Sequence, residues 1–218
     1  MINQAIWFQV VLALLLSGCQ STTVIDQRRD APTSLNKDDS IVVLGRRQSG
    51  DHETEHDFIT CVGKSLASSE HGINVIPEKQ FVDSMYPYFE TSTAPMDVKN
   101  LNNLIQNPVV AAKFSNFHIR YFVWIDGSTV RTNSSGSISC AIGPGGGGCF
   151  GFATWDDKSN YEASVWDFKN LSLSGNISAE TQGTSYLPAV IIPIPLLARV
   201  KAHACESMAD QIKSFFNE

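Results

Sequence analysis

Residues 118–125 constrain this chain more than any other stretch. Ile119, Tyr121, Val123 and Ile125 alternate with Phe122 and Trp124, so a strand here is apolar on both faces. Such a strand belongs inside a sheet that is covered on both sides. What precedes it agrees. Residues 41–44 form a short apolar run that reads as a buried first strand. Over 53–69, Phe58, Cys61, Val62 and Leu66 recur at three- and four-residue steps, which marks one face of a helix. Gly72 stops it, and 73–76 is a second strand. Pro77 opens a short helix with Phe81, Val82 and Met85 inside. Val98, Leu101, Leu104 and Ile105 mark another helix, and 108–114 one more short turn. Strands alternating with helices predict an α/β layer.

The texture changes after Ile125. Residues 128–139 are rich in Ser, Thr, Asn and Gly, and 138–155 read as a hairpin around the glycines of 143–148. Residues 161–168 alternate again, and Leu171, Leu173, Gly175, Ile177 and Ala179 share one face of a further strand. The second half is therefore antiparallel. The prolines of 188–195 argue for an irregular connector. A long helix over 196–216 closes the chain, with Leu197, Val200, Ala204, Met208, Ile212 and Phe215 as its stripe. The fold class is α/β (α+β): a mixed sheet with an antiparallel second half, packed by helices. This order over 41–216 resembles the α/β domain of the curli-secretion pore lipoprotein. It is also similar to the lipoprotein activator of penicillin-binding proteins and to the N-terminal domain of the Tol-system propeller protein. The resemblance implies a scaffold, activator or pore subunit rather than an enzyme. The glycine-rich cysteine hairpin and the proline connector have no counterpart in it.

The chain begins with Ile6, Trp7, Phe8 and an apolar run over 10–16. A membrane-spanning helix needs about 20 apolar residues, so this run reads as an export signal, although its start lacks Lys and Arg. Leu16-Ser17-Gly18-Cys19 resembles the lipobox of bacterial lipoproteins. That resemblance implies cleavage before Cys19 and acylation of its thiol and new amine. With more than one acyl chain such an anchor is stable. Gln20, where an Asp would imply retention at the inner membrane, implies the outer membrane with the domain in the periplasm. The expected organisation is a signal over 1–18, a flexible tether over 19–40 and one α/β domain over 41–218.

Removing the signal leaves 200 residues (218 minus 18), enough for one well-packed domain. With 16 basic and 22 acidic residues the formal charge is −6, which excludes a general nucleic-acid binder and a polybasic membrane surface. Cys61, Cys140, Cys149 and Cys205 remain besides Cys19. In an exported chain they point to two disulfides, with three possible connectivities. The pairing expected is Cys140–Cys149, closing the glycine-rich turn, and Cys61–Cys205, stapling two helices. The alternative is four reduced, buried thiols.

The sharpest local motif is His52-Glu53-Thr54-Glu55-His56, which fits H-E-x-x-H. A zinc protease carries that motif on a buried helix, whereas the flanks here are polar and the position of a third His is Val62. Glu78 and Glu90 are the other candidate ligands, and a solvated helix start is the better reading. The glycines of 143–148 lack the Lys and the helix of a phosphate-binding loop. Phe150, Phe152 and Trp155 are candidate partner contacts, unless they pack at home. Strands at 137–142 and 149–155 are too short to cross a membrane. No catalytic residue, metal or cofactor is assigned. The function expected is that of a lipid-anchored envelope scaffold acting through protein–protein contact, with an unidentified envelope partner and possible self-association. The alternatives are an oligomeric secretion-pore subunit and a zinc-dependent hydrolase.

Overall fold

The computed structural model describes residues 21–46, 53–68, 72–90 and 92–217. The leader with Cys19, and His52, lie outside the described residues. Six strands and five helices follow in the order β1 (Ser21–Arg29), β2 (Ser40–Gly45), α1 (His56–Ala67), β3 (Asn74–Ile76), α2 (Glu78–Met85), α3 (Val98–Ile105), α4 (Pro108–Phe114), β4 (Ile119–Gly143), β5 (Gly146–Asp167), β6 (Ser172–Pro193) and α5 (Val200–Asn217). They form one mixed sheet in the order β1-β6-β5-β4-β2-β3. β2 is parallel to β3 and β4, and every other pairing is antiparallel.

The sheet is covered on both faces, as the 118–125 stretch requires. One face packs Tyr121, Val123 and Ile125 with Phe58, Val62 and Leu66 of α1 and Met208, Ile212 and Phe215 of α5. Phe58 stacks on Tyr161 with ring centroids 3.6 Å apart. The opposite face packs Phe122, Trp124 and Trp166 with Phe81, Phe89, Leu101, Val110 and Phe114. Cys61 of α1 and Cys205 of α5 are joined, with Cα atoms 6.2 Å apart, so the two helices on the first face are stapled.

Two β-bulges move side chains away from the face that simple alternation assigns them. Ser40 pairs with Ile119 but Ile41 with Tyr121, so Arg120 is an extra residue. Ile119 consequently packs beside Phe122, not beside Tyr121. Likewise Val165 pairs with Gly175 but Trp166 with Leu173, and Leu173 joins the Trp166 face. A bulge adds one residue to one strand only and reverses the facing beyond it.

Two expectations are corrected. Residues 21–29, expected as tether, form the edge strand β1 along 175–183 of β6. Its inward residues are Thr23, Ile25, Gln27 and Arg29, so apolar periodicity is absent although the side chains alternate. Polar contacts hold it instead: Thr23 to the Thr181 hydroxyl at 2.9 Å, and the Arg29 guanidinium 4.4 Å above Phe215. Residues 128–139, marked in the sequence only by their Ser, Thr, Asn and Gly content, are strand, since β4 runs unbroken for 25 residues. Finally, 188–195 is not an irregular connector throughout, since β6 continues to Pro193. Pro188 lies opposite Phe152, beside Tyr186, which pairs outward with Leu196; its missing N–H therefore costs the ladder nothing.

Candidate contact surface

The outer parts of β4, β5 and β6 leave the helices behind and continue as a three-stranded arm. β4 has 25 residues, and β5 and β6 have 22 each, against about 5–6 in an ordinary strand. The arm turns at Pro144-Gly145, between the paired Gly143 and Gly146. Cys140 and Cys149 face each other across the hairpin and are joined, with Cα atoms 4.0 Å apart.

The root of the arm is held by a polar cluster. Glu55, just before α1, accepts the Thr129 backbone N–H at 2.9 Å with one oxygen and the Tyr161 hydroxyl at 2.9 Å with the other. Tyr161 also meets the Thr129 hydroxyl at 2.8 Å. Burial first, and the Glu55 carboxylate next, push the Tyr161 phenol far above its ordinary range, so it stays protonated and donates. At Gly127 (φ 131°), where β4 begins to leave the core, a Cβ would collide with the Asn160 carbonyl.

Above the root stands a charged collar. Arg131 pairs with Asp157 at 3.2 Å and Lys158 with Glu180 at 2.7 Å. Beyond the collar the charges stop. No Asp, Glu, Lys or Arg occurs between Arg131 and Asp156, or between Glu180 and Arg199. Apolar side chains are exposed instead: Ile142 at 93%, Phe150 at 61%, Val190 at 74% and Ile192 at 68%. Exposed apolar clusters of this kind are candidate interaction surfaces.

The expected aromatic trio is divided by this geometry. Phe150 and Phe152 are exposed. Trp155 packs at home: its Nε1–H donates to Asp157 at 3.1 Å, and Arg131 lies 4.9 Å above its ring. Ile142 lies within the 140–155 hairpin that the sequence marks as a candidate contact site, whereas Val190, Ile191 and Ile192 were missed. The two charge-free stretches were a signal that could have found them.

The H-E-x-x-H stretch is put to other uses where it is described. Glu55 braces the arm, and Thr54 is buried with its hydroxyl on the Ile125 carbonyl at 3.1 Å. His56 Nδ1 lies 2.9 Å from Glu78, whose other oxygen accepts the Gly45 N–H at 2.9 Å. The structure thus brings together His56 and Glu78, both candidate ligands in the sequence reading. Among the described residues no group of three or more His, Cys, Asp or Glu is arranged to hold a metal ion. A cleft of about 230 Å³ lies beside this pair, floored by Val43, Ile59 and Val75. Among the described residues no helix is long and apolar enough to cross a membrane.

Fold and surface together define a mixed α/β domain carrying a long uncharged β-arm. No family model matches the chain, and no curated protein matches it. Two solved structures of the PelC dodecamer from Paraburkholderia phytofirmans are similar to it. A point variant is 12% identical, covering 90% of this chain and 100% of that one, with a TM-score of 0.40. A second crystal form is 14% identical, covering 89% and 98%, with a TM-score of 0.39. Likeness at that level carries no argument about function.

Proposed function

We propose that this protein is a lipid-anchored component of a bacterial cell envelope, working by contact rather than by catalysis, with the arm as its contact element. The observation that supports this is the arm itself: a charge-free, disulfide-closed sheet with exposed Ile142, Phe150 and Val190, braced at its root by Glu55. The lipobox resemblance at Cys19 supplies the anchor and the outer-membrane, periplasm-facing placement. β1 begins beside the root of the arm, where Ser21 pairs with Gly183 of β6. Acylation is tested by palmitate labelling of the expressed protein, which Cys19→Ser abolishes.

The contact role is tested by photo-crosslinking in intact envelopes. A photoreactive phenylalanine in place of Phe150 captures a protein. The same group in place of Val109, an exposed residue on α4, does not. Equal capture from both sites, or none from Phe150, refutes the reading.

A second reading, an oligomeric secretion-pore subunit, is favoured by strand length. A membrane-crossing strand needs about 9–11 residues, and 134–143 and 146–155 both reach that length without a charge. It requires ring-shaped assemblies of many copies, which electron microscopy of the purified acylated protein would reveal.

A further inference from the structure

We infer that the free edge of β4 in the arm pairs antiparallel with the same edge of a second copy, joining two protomers about a two-fold axis. The inference rests on the arm being the contact element and names its partner.

The sheet has four edges, and three are protected. β1 is an edge strand that carries Asp26, Arg28 and Arg29. β3, at the opposite end of the sheet, has 3 residues. The outer edge of β6 is covered by β1 up to Gly183. Beyond that it is covered by the returning chain: Tyr186 exchanges both backbone bonds with Leu196 at 2.8 Å, and Ile194 N–H reaches the Pro188 carbonyl at 2.9 Å. Charge, shortness and covering are the devices that keep sheet edges from pairing.

The β4 edge has none of them. Among the described residues β4 pairs only with β2 and β5, and its pairing with β2 ends at Ile125. Thr129 N–H, the next outward donor described, is taken by Glu55. Past the bulge at Thr132 the strand has no charge and no proline up to Gly143. The 4.0 Å Cα separation of Cys140 and Cys149 marks a pair that does not exchange backbone hydrogen bonds. The N–H and C=O of Cys140 therefore point outward, as do those of Ser134, Gly136, Ile138 and Ile142. Among the described residues no backbone group pairs with this row of donors and acceptors.

A second copy fits this row for two reasons. Copies of a chain with charge −6 repel one another, and this edge brings them together where neither carries charge. An arm with one open edge is satisfied by closed, two-fold pairing, whereas a ring needs two open edges on every copy. Antiparallel pairing about Cys140 sets Ile138 of each copy opposite Ile142 of the other. It also merges the two exposed tips into one sheet.

The test uses the mature acylated chain purified in detergent. Sedimentation equilibrium gives a dimer that dissociates on dilution. Ile138→Pro removes an outward N–H and weakens the dimer about tenfold or more, while mass spectrometry shows the Cys140–Cys149 bond retained. A photoreactive phenylalanine in place of Ile142 gives a covalent dimer, with the adduct inside 134–142 of the second copy. A monomer at every concentration, a ring, or a dimer indifferent to Ile138→Pro overturns the inference. Capture of a different protein from Ile142, with no adduct to a second copy, overturns it too and leaves the contact role standing. Loss of all arm-specific capture removes both.

Discussion

The same three strands obey different rules below and above the charged collar. Below it β4, β5 and β6 are roofed by helices, and their side chains are fixed by packing: Tyr121, Phe122 and Tyr161 are fully buried. Above it neither face has a helix, and Ile142 and Phe150 stand in solvent. Below it the buried carboxylate Asp167 is paired with Arg120. Above it there is no charge at all. The ladder runs through both regions from Tyr121 to Gly143, interrupted only by the bulge at Thr132, which lies at the collar. The difference shows that burial in the lower region serves stability. In the upper region Phe152 packs only against Tyr186 of the neighbouring strand, and Ile142, Phe150 and Val190 remain exposed.

Substitutions that hit one region and spare the other sharpen this contrast. The largest effect belongs to the helix staple. Cys61 and Cys205 are 144 residues apart, and chain entropy assigns about 5 kcal/mol to their bond. Replacing both by Ser lowers the denaturant midpoint sharply. Cys140 and Cys149 are 9 apart, and the same account gives about 2.5 kcal/mol. A smaller loss from the Cys61–Cys205 pair than from Cys140–Cys149 would break the comparison.

Phe122→Ala comes next. Its ring lies 5.6–6.0 Å from those of Phe81, Phe89, Phe114 and Phe168, and its removal costs about 3–5 kcal/mol. Phe152→Ser in the arm stays within about 0.5 kcal/mol. Equal losses in chemical denaturation would mean that the arm is packed like the core.

Asp167→Asn leaves the Arg120 guanidinium without its carboxylate and costs about 3 kcal/mol. Burial raises the Asp167 pKa, but hydrogen bonds from Arg120 and from Asn170 outweigh it, so it lies below the ordinary 3.8. A depressed carboxyl contributes stability that is whole above 3.8 and lost as pH falls below it. The wild type therefore loses stability on acidification through that window, and Asp167→Asn loses less. Equal pH slopes in urea titrations would refute the assignment.

Glu55→Gln has the smallest effect, about 1–2 kcal/mol, since an amide oxygen still accepts one bond but without charge. Faster hydrogen exchange at the Thr129 amide, with core amides unchanged, is the expected signature of a loosened arm root.

Much of the core was legible because its pattern is local. Phe58, Val62 and Leu66 are one helical stripe in any context. Tyr121, Phe122 and Val123 announce a strand buried on both faces. Both cysteine pairs could be guessed from what each would join. The arm was legible only as a hairpin around the glycines of 143–148. Its length was hidden because Ser, Thr and Gly between 128 and 139 form strand by pairing with β5, not by apolar alternation. β1 was missed for the same reason, since Ile25 is the lone large apolar residue on its inner face. Of the exposed apolar residues, Phe150, Phe152 and Ile142 lie in the hairpin the sequence singled out. Val190 does not and could not be named, because exposure depends on whether a helix lies overhead.

The sequence by itself determined where the strands and helices of the covered half fall, β1 excepted, which faces are apolar, and where the charges run out. Those properties belong to residues a few positions apart and need no partner to be visible. Only the tertiary structure decided that three strands outrun their helices, that two bulges redirect Ile119 and Leu173, and that the β4 edge is left open while its neighbours are closed. These depend on which backbone groups find a partner far along the chain, and hydrogen-bond pairing at that distance leaves no periodic trace in the residues that make it.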